Sequence, residues 1–351
     1  MKAILVSAPP HFELTTVPDP QCRAGEVVIR TAFCGICGTD LEILRGTMPQ
    51  GFTRYPVVPG HEWTGVVEEI GPEVTALRPG DRVSVEGYLP CRECPGCRTG
   101  QNNLCATHEQ IGMTRNGGFA EYVAAPASSC HLVAGHVGLD EALMVEPAST
   151  VVRGIERAHP NRGVKAAVIG CGPIGLIAGR VLRRYDPAAL LGIDLSAEQR
   201  TMAERAGFTE FIASADPRDL VAQSRSNGWD VVVNCASGSK PLELALQVVR
   251  PGGVIIAIGS SPDTCKLQIS ANLFVTRDLH IEGILGYTTA SWIRTLGLLT
   301  AGELRLGDLI SHRKPLSEFE SAVSLLQSRS EPMGKVAICF PQPQNASIEA
   351  A

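Results

Sequence analysis

Residues 164–175 read Val-Lys-Ala-Ala-Val-Ile-Gly-Cys-Gly-Pro-Ile-Gly and run into the apolar stretch Leu176–Leu182. A short strand-like run, three spaced glycines and a helix-like run make a strand, a tight turn and a helix. Each glycine has a physical reason in such a unit: Gly170 permits the turn, Gly172 lets backbone approach a pyrophosphate, and Gly175 lets helix pack closely on strand. Pro173 falls at the helix start, where its missing N–H is not needed. The first turn, Gly172 to Gly175 with Pro173 and Ile174 between, then presents free N–H groups and a partial positive charge to phosphates. Alone, such glycines could equally form an ordinary turn; the flanking strand and helix favour a dinucleotide site. The next strand-like run, Leu190–Ile193, ends at Asp194, whose carboxylate can accept from adenosine ribose hydroxyls and would repel a 2′-phosphate. That predicts NAD rather than NADP. Asp194 could instead cap the following helix, a role open to Ser196 as well, and nearby Arg200 keeps NADP as the second choice.

Working outward, strand-like and helix-like runs alternate from Ser149 to Ile284, which implies right-handed βαβ crossovers and a doubly wound parallel sheet. Upstream, short β-branched runs such as Glu26–Arg30, Gly65–Ile70 and Asp81–Val85 are broken by Gly and Pro. They predict a mostly-β, partly barrel-like region. Helical runs at 290–300 and 317–327 and a last strand at 335–340 follow, with a loose tail from Pro341. The expected division is 1–148 together with 287–351 as one domain, and 149–286 as a nucleotide-binding domain.

Two domains also suit a chain of 351 residues, which is longer than one hydrophobic core usually supports. A net charge of −5, with no block of like charges, gives no electrostatic reason to expect nucleic acid. No run of eighteen apolar residues and no secretory pattern at Met1–Pro10 is present, so a cytoplasmic protein without membrane contact is expected.

Four of the twelve cysteines, Cys91, Cys94, Cys97 and Cys105, fall within fifteen residues and are separated by Pro95, Gly96 and Gly100. Four soft ligands joined by tight turns suit a closed, tetrahedral structural zinc. Disulfides fit less well, because cysteines two residues apart bridge poorly. A second donor set is dispersed: Cys37, His61, Glu62 and Glu146. Singly, each reads as an ordinary buried cysteine, a structural histidine or an acid. Jointly they offer the sulfur, nitrogen and oxygen donors of a catalytic zinc site, although spacing does not establish that they converge.

The chain resembles the medium-chain zinc-containing alcohol dehydrogenases over essentially its whole length, on Gly35-x-Cys-Gly-Thr-Asp40, Pro59-Gly-His-Glu62, Pro79-Gly-Asp-Arg-Val83, the Cys91–Cys105 lobe, Gly117-Gly-Phe-Ala-Glu-Tyr122, Glu146-Pro147 and Gly170–Gly175. Glu146-Pro147 and Gly60-His-Glu62 are similar to the branch acting on polyols, threonine, butanediol and sugars. The resemblance implies a GroES-like catalytic domain beside a Rossmann domain, and one catalytic and one structural zinc. It further implies NAD-linked oxidation of a secondary alcohol to a ketone, in a homodimer or homotetramer. It puts the catalytic zinc on Cys37, His61 and either Glu62 or Glu146, with ligation able to swap between the two acids. Thr39 matches the hydroxyl relay that passes the substrate proton through the cofactor ribose. Thr150, one helical turn past Glu146, either touches the nicotinamide or is simply a helix residue. Many relatives finish the relay with a His five residues after the ligand Cys; here that position is Glu42, either a replacement carrier or a surface acid. Phe52, Tyr55, Arg115 and Trp292 are candidates for the substrate pocket. The competing readings are a zinc-free enone or quinone reductase of the same fold and a non-catalytic nucleotide binder.

Overall fold

The computed structural model describes residues 1–214, 228–261 and 264–342. The tail from 343 onward, expected to be loose, lies outside the described residues. An N-terminal hairpin, β1 (Lys2–Ala8) with β2 (His11–Thr16), leads into β3 (Glu26–Ile36), β4 (Glu62–Ile70) and β5 (Arg82–Val85). The short pair β6 (Tyr88–Leu89) and β7 (Glu109–Gln110) brackets the cysteine-rich loop, and β8 (Tyr122–Pro126) and β9 (Cys130–Leu132) follow. After the second region come β16 (Ile310–Pro315) and β17 (Lys335–Cys339), giving the sheet order β16-β17-β3-β4-β5-β9, with β8 also paired to β3. Its last strand therefore crosses the sequence from one end to the other: β17 pairs antiparallel with β3, Val336 opposite Ile36.

The second region holds β10 (Lys165–Ile169), β11 (Ala189–Asp194), β12 (Glu210–Ala213), β13 (Trp229–Asn234), β14 (Val249–Ala257) and β15 (His280–Gly283). All pair in parallel, in the order β12-β11-β10-β13-β14-β15. That order reverses between β10 and β13, the switch point at which open α/β sheets bind ligands beyond the carboxyl ends of their strands. Both faces are buried, as a parallel sheet requires: Val168, Val231 and Val233 lie in one apolar cluster, and Ala167, Leu191 and Val232 in another on the opposite side.

The helix expected from Ser149 begins earlier, at Val145, and runs to Arg157. Pro147 is the cause: within the first turn its missing N–H breaks no helical bond, so it opens the helix and does not precede it. The helix expected over 197–206 starts with a 3₁₀ turn, Ala197–Gln199, before the α segment Arg200–Ala206. The Val145–Arg157 helix is buried in a core that also contains Ala337 of β17 and Leu306, so the two sheets share packing along it.

Candidate metal and dinucleotide sites

Cys37 directly follows β3 and caps the helix Gly38–Arg45. Its N–H donates to the Asp40 carboxylate at 2.9 Å, an N-terminal arrangement that fixes both residues. His61 directly precedes β4, and its Nε2 lies 3.2 Å from Cys37 Sγ. Tetrahedral zinc with ordinary bond lengths would put such a sulfur and nitrogen about 3.6 Å apart. Nδ1 of the same ring faces Asp40 Oδ1 at 3.4 Å, and such a carboxylate orients an imidazole so that its other nitrogen is the donor. Glu62 lies opposite Gly35 in the β3–β4 register, and a Cβ on Gly35 would run into its Oε2, so the glycine makes the carboxylate's room. Donor atoms of Cys37, His61 and Glu62 all fall within 4.8 Å of one another.

The charges around this cluster suit a cation. Burial lifts the Cys37 thiol above its ordinary pKa. Burial opposes a charged His61, yet Cys37 and Asp40 outweigh it and hold that pKa well above the usual value. Glu146, at the start of the Val145–Arg157 helix, lies outside the 4.8 Å cluster, but burial and then the charge of Glu62 raise it to about 7. Raised in this way, Cys37, His61 and Glu146 favour protons that a divalent metal would displace.

Sequence reasoning missed Lys335, which is only 2% exposed and whose Nζ lies 2.7 and 2.6 Å from the two Glu62 oxygens. No local pattern could signal a partner 273 positions away. Asp40 stood within a quoted motif and was given no role. Tyr88 is also new: burial and then Glu146 raise its phenol pKa, and a Cβ on Gly286 would sit 3.1 Å from its hydroxyl. Thr39 is half-buried, without a side-chain hydrogen bond among the described residues, and Glu42 is exposed one turn later. Among the pocket candidates, Arg115 is paired with Glu26 at 2.6 Å, and the Tyr55 hydroxyl donates to Ile43 O at 2.7 Å. Trp292 is fully buried between Tyr287 and His131, while Phe52 remains exposed.

The sulfurs of Cys91, Cys94, Cys97 and Cys105 also converge within 4.8 Å. Cys91–Cys97 and Cys94–Cys97 measure 3.9 and 3.5 Å, near the roughly 3.8 Å edge of a tetrahedral zinc–thiolate centre. Backbone N–H groups of Cys94 and Cys91 point at the sulfurs of Cys91 and Cys105, at 3.4 and 3.3 Å. Hydrogen bonds from the backbone of Glu93 and Cys94 bring the Cys91 thiol down to about 6, so a thiolate is favoured there. The lobe is tied to the chain after β15: Asn103 donates to Leu285 O at 2.7 Å, and Asn102 accepts from Thr289 N at 3.1 Å.

At the end of β10 the three glycines differ as expected. Gly170 has φ +89°, Gly172 has open space where a Cβ would be, and a Cβ on Gly175 would strike Gly170 O. Pro173 is the first residue of the helix Pro173–Leu182, with Ile174 beside it. Asp194 accepts from Cys171 N at 2.7 Å and Ser196 N at 3.1 Å, one on each carboxylate oxygen. Arg200 donates to Phe211 O at 3.2 Å and stacks on the Phe211 ring. Thr150 is buried one turn past Glu146.

Residues 23–135 match the model of the alcohol dehydrogenase GroES-like domain, and 173–301 that of the zinc-binding dehydrogenase domain. The chain belongs to the zinc-binding alcohol dehydrogenase family. Like the L-threonine 3-dehydrogenase of Saccharopolyspora erythraea, this dehydrogenase spans the whole fold: the two are 31% identical over 348 residues, covering 96% of this chain and 98% of the relative. An alcohol dehydrogenase from E. coli CFT073 complexed with NADH superposes with a TM-score of 0.90 at 26% identity, covering 97% and 99% of the chains. Galactitol-1-phosphate dehydrogenase from Escherichia coli gives 0.87 at 25%, covering 97% and 100%. The fold is thus a GroES-like domain joined to a Rossmann-like one, and zinc and a nicotinamide dinucleotide are the cofactors of this family of oxidoreductases. No helix among the described residues is long and apolar enough to cross a membrane.

Proposed function

We propose that this dehydrogenase oxidises a secondary alcohol flanked by polar groups (a polyol, sugar, amino-alcohol or aminocyclitol) to the ketone with NAD. The observation that carries the reading is the buried meeting of thiol, imidazole and carboxylate at Cys37, His61 and Glu62, with Asp40 behind the imidazole. Zinc held there would supply a Lewis acid for the hydroxyl oxygen, and a bound nicotinamide would supply the hydride acceptor.

The chain's own residues do the rest. Cys37 and His61 hold the metal together with one of two acids. Glu62 is already neutralised by Lys335, whereas Glu146 has no hydrogen-bonded or ion-paired cation among the described residues. Either acid would complete a set of three protein donors with Cys37 and His61, which would leave room for substrate. Thr39 would take the hydroxyl proton, and exposed Glu42 would complete its path to solvent. Gly170, Gly172, Pro173, Ile174 and Gly175 seat the pyrophosphate, Asp194 binds the adenosine ribose, Arg200 stands beside that end, and Thr150 borders the nicotinamide. Cys91, Cys94, Cys97 and Cys105 hold the structural zinc.

We assign 1–148 with 287–351 to the catalytic domain and 149–286 to the cofactor domain. A homodimer or homotetramer through the edge strand β15 fits its side that is unpaired among the described residues, and twelve unbridged cysteines suit the reducing cytoplasm. The test is metal analysis of the purified protein with NAD reduction across vicinal diols, sugars, threonine and aminocyclitols. About two zinc ions per chain and turnover with one of these alcohols are expected. Cys37→Ala should abolish turnover and leave NADH binding near normal. A zinc-free active protein, or an active Cys37→Ala variant, would refute the reading.

A further inference from the structure

Gln199 is 6% exposed and links the glycine turn to the segment before β17. Its Nε2 donates to Cys171 O at 2.7 Å, inside the glycine turn, and to Met333 O at 2.6 Å. Its Oε1 accepts from Met333 N at 2.8 Å. Three of the four hydrogen-bonding capacities of the amide are thus used, and with Met333 it forms a two-point pair like that between adjacent backbones. Cys171 is held from its other side as well, by Asp194. Two residues beyond Met333, Lys335 enters β17 and grips Glu62 beside His61. A Cβ on the intervening Gly334 would strike Leu309 O, so this segment has little freedom to shift.

We propose that Gln199 is a positioning residue that couples occupancy of the dinucleotide turn to the Lys335–Glu62 pair and, through it, to metal retention at Cys37 and His61. The inference rests on the dinucleotide and zinc reading above. Fixing Cys171 by a bound pyrophosphate fixes Gln199, hence Met333 and the start of β17. Because coupling between sites is reciprocal, cofactor should hold the metal more firmly, and metal the cofactor.

The test uses ADP-ribose, which carries the pyrophosphate and no nicotinamide ring, so it cannot shield the metal directly. The zinc-loaded enzyme is challenged with a chelator, and alkylation of Cys37 is followed by peptide mass spectrometry, with and without saturating ADP-ribose. In the wild type, ADP-ribose should slow Cys37 alkylation by about five-fold or more. In Gln199→Met, which keeps the side-chain length, ADP-ribose should still bind while the protection vanishes. Gln199→Glu, which keeps the acceptor and loses both donors, should behave in the same way, and serves if the first variant folds poorly. A merely structural Gln199 would lower the melting temperature and leave the protection ratio intact, and that result overturns the proposal. So does equal alkylation with and without ADP-ribose in a wild type that binds it. A wild type that fails to bind ADP-ribose overturns the cofactor reading itself, which separates the two failures.

Discussion

Lys335→Met isolates the ion pair beside the Cys37–His61–Glu62 cluster. Lys335 and Glu62 are each 2% exposed, and the ammonium touches both carboxylate oxygens. Methionine refills the stem's volume but strands an acid in the neighbourhood of Glu146, itself already burdened by the Glu62 charge. Removing one member of a buried pair costs about 3–5 kcal/mol, because the other is left uncompensated. An exposed pair such as Lys314–Glu318, at 2.7 Å, is worth about 0–1 kcal/mol. Urea denaturation of the metal-free protein should therefore show a loss of about 3–5 kcal/mol, two to four powers of ten in the folded-to-unfolded ratio. The double variant Lys335→Met/Glu62→Gln should recover a good part of it, since no charge is then stranded. A loss below about 1 kcal/mol, or no recovery in the double variant, would mean that the pair is not the buried support described here.

Glu146, raised from 4.5 to about 7 in the metal-free protein, binds a proton in the folded chain that the unfolded chain has released. Stability from this group is therefore greatest below about pH 4.5 and falls by about 3 kcal/mol as pH rises to 7. Comparing denaturation of wild type and Glu146→Gln across that window should show the slope lost in the variant; equal slopes would contradict the assignment. Asp194→Ala removes the acceptor for Cys171 N and Ser196 N. It should weaken NAD about ten-fold or more by fluorescence titration while sparing NADP, and an unchanged NAD/NADP ratio would count against it. Cys97→Ser should leave about one zinc per chain by atomic absorption and lower the melting temperature, with NADH affinity near normal. Retention of both metals would place the structural site elsewhere.

The parts of the molecule that could be read in sequence are those whose geometry is local. Gly170, Gly172 and Gly175 declare a turn because each excludes a side chain for a different steric reason, and the Cys91–Cys105 spacing converges within one loop. Helix starts were less legible: Pro147 marks a boundary in sequence, but only the fold shows on which side of it the helix lies. The supporting groups were not legible at all. Lys335 meets Glu62, and Gln199 meets Met333, through chain crossings that no window of neighbouring residues contains. Trp292, an aromatic that could have lined a pocket, is instead stacked inside the core.

The chain returns from the parallel sheet to the barrel through residues 285–289, and the asparagines of the cysteine lobe clasp that return at Leu285 O and Thr289 N. The lobe therefore works as a rivet on the seam and not as an ornament of one half. Stripping or oxidising its sulfurs, which are only half-buried at Cys91, Cys94 and Cys97, is expected to loosen those two hydrogen bonds. Damage there is expected to reach the proposed reaction as a loss of alignment, with Cys37, His61 and Glu62 themselves left whole.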